Sequence, residues 1–121
     1  MLDIFSGTGH DLLKKMLDVT TERHRIISHN ISNVNTPGFK RSDLEFVDEL
    51  KTVLNADESA LADLQPSIVQ TNNTPVRHDG NDVNLNKELA IVAKNTIMYN
   101  LYIQFMRKRF NSLNLAMQGP Q

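Results

Sequence analysis

The sequence predicts a mainly α protein. Long N- and C-terminal helices should pair as a coiled-coil-like hairpin, joined by a short, partly irregular middle segment. Three observations predict it. Apolar residues, interrupted only at Thr20 and His24, recur at alternating four- and three-residue steps over residues 13–34. The same alternation runs without a slip over residues 85–117. Between them, Pro37, Pro66 and Pro75 interrupt a stretch of weak patterning.

The chain of 121 residues fits one domain, with expected divisions at 8–34, 35–83 and 84–118. A compact chain of this size would bury roughly 65% of its unfolded surface, and an elongated helical one would bury less. A net charge of -1 argues against a polyanion partner. Nucleic acid is not expected, because the longest basic block is Arg107-Lys108-Arg109 and aromatics are sparse. With no cysteine, disulfides and thiolate chemistry are excluded. The first fifteen residues lack a basic stretch followed by a long apolar one, so no cleaved secretory signal is expected. That fits a cytoplasmic protein, and equally one exported by a route without a cleaved signal.

Leu2, Ile4 and Phe5 form a short apolar hook in an irregular N-terminus. Thr8-Gly9-His10-Asp11 matches a capping box, Thr8 being the expected cap. The helix that follows carries a stripe of Leu13, Leu17, Thr20, His24, Ile27, Ile31 and Val34. Thr36-Pro37-Gly38-Phe39 has type II turn chemistry: Pro37 presets φ, and Gly38 supplies the positive φ needed next. Pro37 also pushes Thr36 out of the α region and so ends the helix by about Asn35. Asn30 and Asn33 sit one turn apart on one face, with amides suited to tying turn backbone onto the helix.

Ser42-Asp43-Leu44-Glu45 reads as a second capping box, opening a short helix to about Asn55 with Phe46, Val47, Leu50, Val53 and Leu54 at helical spacing. Ser67-Ile68-Val69-Gln70 can form a short strand, and Arg77-His78-Asp79-Gly80-Asn81 reads as a loop. Asn84 is the expected cap of the last helix. Its stripe is Leu85, Leu89, Val92, Thr96, Tyr99, Ile103, Met106, Phe110, Leu113 and Met117, and Gly119-Pro120 stops it. Such a helix spans roughly 50 Å and needs a long partner, which only the N-terminal helix can be. An antiparallel pairing would set Ile31 near Leu89 and Leu17 near Ile103. Ile97, Leu101, Tyr102, Phe105 and Leu115 lie off that seam, more apolar surface than one partner helix covers.

No chemistry emerges from the remaining residues. The histidines lack metal-ligand spacing, so no metal site is expected. Asp79 to Asn84 has its glycine in the wrong place for a calcium loop. Neither a phosphate loop nor a nucleophile elbow occurs, and no enzyme, cofactor or small-molecule substrate is expected. The two stripes then admit two readings. One is the core of a helical-hairpin binding module. The other is a seam whose flanks also pack against neighbouring copies.

Residues 30–40, NISNVNTPGFK, resemble the signature of the flagellar axial proteins of the rod and hook, Asn-Ile-Ala-Asn-x-x-Thr-Pro-Gly-aromatic. Ser32 stands where that family often has Ala. The run from Arg77 to Glu88 resembles the short, proximal members of the family, whose pattern is Asp-Gly-Asn-x-Val-Asp before an acidic helix start; Asn84 replaces the last Asp. The resemblance implies a structural subunit of the proximal basal-body rod, assembling through its terminal helices into the shaft that transmits motor torque. A different short rod protein is the nearest alternative. Implied partners are further copies, other rod proteins, the membrane-ring adaptor and the flagellar type III export apparatus. It implies assembly roles for Asn30, Asn33, Thr36, Pro37, Gly38, Phe39, Asp79, Gly80 and Asn81, beside the seam residues.

Overall fold

A computed structural model describes residues 7–56, 58–72 and 74–120. The expected hook of Leu2, Ile4 and Phe5 lies outside them. The described elements are helix α1 (Gly7–Ser32), strand β1 (Ser42–Glu45), helix α2 (Val47–Ala56), a 3-10 turn (Glu58–Leu61), strand β2 (Ser67–Gln70) and helix α3 (Leu85–Gln118).

The helix α1 is already helical at Gly7, so Thr8 lies inside it rather than at a cap, which needs extended backbone. It stops at Ser32, two residues short of the expected end. There the Asn33 amide bonds the carbonyls of both His29 and Asn30, at 3.2 and 3.1 Å, and Val34 bonds Ile31. Those tightened turns begin the descent into Pro37.

Helices α1 and α3 pack along each other. Contacts at three levels make the pair antiparallel. Asn30 Nδ2 reaches Glu88 Oε2 at 3.2 Å. Farther along, Asn95 Nδ2 bonds the Thr20 carbonyl at 2.8 Å. Near the far end the rings of His10 and Phe110 meet edge to face with centroids 6.2 Å apart. This is the antiparallel sense expected from the sequence, with Asn30 beside Glu88 at one end and Thr20 beside Asn95 farther along.

The other buried face of α1 holds the middle segment. Val19 and Ile26 pack with Leu44 and Phe46, flanked by Met16, Leu50 and Leu64. Two long cations on α1 pin that segment by backbone oxygens. Lys15 Nζ reaches Ala62 and Leu64 at 3.2 and 2.8 Å, and an Arg23 guanidinium nitrogen reaches Leu44 at 2.9 Å. Their aliphatic stems can lie along the apolar surface while the charged heads serve these carbonyls.

Ser42-Asp43-Leu44-Glu45 is a strand and not the start of a helix. It pairs antiparallel with Ser67–Gln70, Leu44 opposite Ile68. Period-two alternation puts Leu44 in the core, 3% exposed. A local capping pattern competes here with ladder bonds to a strand more than twenty residues away, and the ladder wins because it also buries Leu44. The helix α2 begins only after Phe46, whose carbonyl accepts the amide of Leu50 at 2.9 Å. The expected strand at residues 67–70 is present. No helix among the described residues is long and apolar enough to cross a membrane.

Candidate assembly site

The chain between α1 and β1 must turn sharply while α1 leaves carbonyls without helical partners. Thr36 to Phe39 forms the expected turn. The Phe39 amide bonds the Thr36 carbonyl at 3.2 Å, and Gly38 has φ +73°, as a type II turn requires at its third position. Asn33 stays local: its Nδ2 bonds the His29 carbonyl at 2.9 Å, and its Oδ1 accepts from the Thr36 hydroxyl at 3.1 Å. The rings of Phe39 and His29 meet edge to face, centroids 5.5 Å apart, folding the turn against the helix.

The orphan carbonyls of α1 are satisfied from the other end of the sequence. Asn81 is fully buried. Its Nδ2 lies within 3.2 Å of three backbone oxygens, those of Asn33, Val34 and Thr36. Its Oδ1 accepts the Val83 amide at 2.7 Å, which fixes the amide orientation. The loop holding it is equally constrained. The Asn81 amide bonds Asp79 Oδ1 at 3.1 Å, and this bond, with a lesser contribution from the Arg77 charge, holds the Asp79 carboxyl below its ordinary value. The Gly38 amide bonds the Asp79 carbonyl at 2.8 Å. Gly80 has φ +82°, and a Cβ there would stand 3.3 Å from the Cα of Gly38. The two glycines therefore meet backbone to backbone. Arg77 reaches past them to the carbonyls of Val34 and Val83.

Beneath this clasp lies a buried ion pair. Arg41 Nε and Glu88 Oε1 are 2.6 Å apart, with side chains 6% and 1% exposed. Asn30 binds the same carboxylate and also closes on Ser42, its Nδ2 on the carbonyl at 2.7 Å and its Oδ1 on the amide at 3.0 Å. Asn30 thus reaches the start of β1 instead of the turn. The remaining Arg41 nitrogens serve Thr71 Oγ1 at 2.5 Å and Asp43 at 3.4 Å, and its backbone amide donates to Asp82 Oδ1 at 2.6 Å. Burial disfavours the Arg41 charge, but Glu88 and then Asp43 hold it above its ordinary value. Arg41 so joins β1, the segment after β2 and the first turn of α3, and Glu88 carries the link on to Asn30 of α1.

No family model matches the chain. It is 32% identical over 123 residues to the flagellar basal body rod protein FlgB of Aquifex aeolicus, with 98% of each chain covered. The chain belongs to the FlgB family. The FlgB of Borreliella burgdorferi is 30% identical, covering 89% of this chain and 94% of its own, and that of Bacillus subtilis is 28% identical over 98% of each. As a FlgB-family rod protein the chain is structural and not an enzyme.

In this FlgB-family chain the signature residues converge from two distant segments. Asn30, Asn33, Thr36, Pro37, Gly38 and Phe39 come from one, Asp79, Gly80 and Asn81 from the other. Pro37 is exposed and Phe39 half-buried. Arg41 and Glu88 went unnoticed as a pair in the sequence. Glu88 reads there only as part of an acidic helix start, and nothing in the sequence marks Arg41 as its partner. One signal existed: Glu88 lies one heptad before Asn95, and both fall just beside the expected stripe.

The seam residues separate into two groups. On α1, Leu13 and Ile27 are buried, and Leu17 and Ile31 partly so. On α3 the most buried positions are Glu88, Asn95 and Arg109, with Val92, Ile103 and Met106 partly covered. Leu89, Tyr99, Phe110 and Leu113 are 51, 39, 51 and 47% exposed. The covered face is therefore turned by roughly 70° from the apolar stripe. Polar anchors cause it. Asn30, Arg41 and the Thr20 carbonyl draw Glu88 and Asn95 inward, and α3 rolls to bring them there.

Proposed function

We infer that this FlgB-family chain is a structural subunit of the proximal flagellar rod, stacking helically with further copies and with other rod proteins to form the shaft that carries motor torque. The observation behind this reading is the half-covered apolar stripe of α3. A monomer with Leu89, Phe110 and Leu113 about half exposed, beside a helix pair already formed, presents a ready surface for neighbouring helices. The polar clasp suits the same role. Its buried hydrogen bonds fix the angle at which the helix pair meets the middle segment, and a shaft under torsion needs subunits that do not yield at that joint. The membrane-ring adaptor and the type III export apparatus are the expected further partners, with export leaving the N-terminus uncleaved.

The test is complementation of a strain lacking the gene. Basal bodies isolated from it should contain the tagged chain at the proximal rod, and mass spectrometry should find its N-terminal residues intact. Restored motility without the chain in basal bodies would overturn the reading.

A further inference from the structure

The charges of the chain are segregated. From position 43 to position 63 it carries seven carboxylates and a single lysine, Lys51. From position 89 to position 118 it carries Lys94, Arg107, Lys108 and Arg109 and no carboxylate at all. The acidic stretch is the lobe of β1, α2 and the 3-10 turn, and the basic one is nearly all of α3. Glu45, Asp48 and Asp63 are exposed on the lobe; Lys94, Arg107 and Lys108 are exposed on α3. Those three cations pair with no carboxylate among the described residues, and the Asp48 side chain, 95% exposed, has only Lys51 at 3.5 Å.

Helical spacing arranges the basic arm into a binding ridge. Lys94, Ile97, Leu101, Phe105 and Lys108 follow one another at three- or four-residue steps, so they lie along one face. Along Ile97, Leu101 and Phe105 that face is turned away from α1, at 67, 39 and 40% exposed, while Lys94 stands at its edge beside the groove between α3 and α1. A lysine stands at each end, about 21 Å apart at 1.5 Å per residue. Val47 offers an exposed apolar residue beside Asp48 on the lobe, 53% exposed.

We propose that the acidic lobe of one copy docks on the Lys94–Lys108 ridge of a second copy, head to tail. The occupant follows from charge. The exposed stripes of α3 carry no carboxylate, so two ridges repel one another, and the lobe is the acidic, partly apolar surface the chain itself supplies. Because the two surfaces differ, the contact is heterologous, and a contact of that type propagates into a helical filament instead of closing as a dimer. The contact deepens the rod reading and rests on it for its biological setting.

Charge reversal tests it on the purified full-length chain. One variant combines Lys94→Glu with Lys108→Glu, the other Glu45→Lys with Asp48→Lys. Self-association is followed by sedimentation from ~0.01 to ~1 M salt, across which the Debye length falls from about 30 to about 3 Å. Wild type should associate more tightly at low salt. Each variant alone should weaken by ~tenfold or more, since like charges then face each other. Mixing the two should restore association, because each then presents the charge the other lacks. Circular dichroism checks that helix content is kept. If a reversed variant unfolds, the neutral pairs Lys94→Gln with Lys108→Gln, and Glu45→Gln with Asp48→Asn, replace it, and loss of salt dependence is the readout. A wild type that stays monomeric at low salt overturns the proposal. So does a variant that associates like wild type, or a mixture no better than its parts. Incorporation into basal bodies is scored separately. Incorporated chains whose association ignores these charges would remove the contact and leave the rod reading standing.

Discussion

The side-chain amide of Asn81 sits 2.9 Å from the backbone oxygen of Asn33, a residue 48 positions earlier. One side chain thereby caps the end of α1 from the far side of the middle segment. Asn81→Ala removes the donor to three carbonyls and leaves the Val83 amide without its acceptor. At roughly 0.5–1.5 kcal/mol per lost bond, the variant should lose about 2–4 kcal/mol in urea unfolding. Asn81→Asp should lose at least as much, because a carboxylate would face the same carbonyl oxygens. A loss below about 0.5 kcal/mol in either, within the range of a plain surface change, would show that the cap is dispensable.

The two glycines of the clasp should differ in their tolerance. Both have positive φ, which costs a non-glycine residue about 1–2 kcal/mol. A Cβ at Gly38 meets open space, whereas one at Gly80 meets the Gly38 backbone at 3.3 Å. Gly80→Ala should therefore destabilise more than Gly38→Ala and impair basal-body incorporation more severely. The reverse order would mean that Gly38 answers to a neighbouring subunit.

Arg41 and Glu88 should behave as a unit. Removing one partner by Glu88→Gln or Arg41→Met leaves the other charge buried, at a cost of about 3–5 kcal/mol. The double variant Arg41→Met with Glu88→Leu should recover much of that loss. Chemical denaturation of both singles and the double forms the cycle, and strict additivity would contradict direct coupling at 2.6 Å.

Apolar truncation should separate folding from assembly. Ile27 is 1% exposed, so Ile27→Ala should cost about 2–5 kcal/mol. Phe110→Ala and Leu101→Ala, at 51 and 39% exposure, should cost the monomer far less and still reduce incorporation into basal bodies. Hydrogen exchange in the dilute monomer should follow the same gradient. Protection should be strongest where Thr20 to Asn30 face Glu88 to Asn95, and weakest over the last turns of α3. Strong, uniform protection to Met117 would argue that the outer stripe is not waiting for a neighbour.

Acid should loosen the clasp loop before the helix pair. Asp79 is held below its ordinary value, first by the Asn81 amide. A depressed carboxylate contributes stability that is complete above its unfolded value, ~3.9 for aspartate, and is lost as pH falls through the lower folded value. Amide exchange at Gly80 and Asn81 should rise over that acidic window in wild type. In Asp79→Asn the dependence should flatten; an unchanged profile would locate the acid response elsewhere.

What the sequence determined by itself was local. The four-three spacing set two long helices, Pro37 and Gly38 set the turn, and Asn84 set the start of α3, where its Oδ1 takes the Lys87 amide at 3.2 Å. Even the antiparallel sense of the pair was legible, because chain reversal between two stripes leaves little freedom. The tertiary structure decided what depended on distant partners. Residues 42–45 became a strand because Ser67–Gln70 was there to pair with them. The helix α3 rolled away from its own apolar stripe because burying Glu88 against Arg41 and Asn30, and Asn95 against the Thr20 carbonyl, required those side chains to face inward. Periodicity counts apolar residues, and it is blind to a polar group that is drawn inward by a partner 47 or 75 residues away.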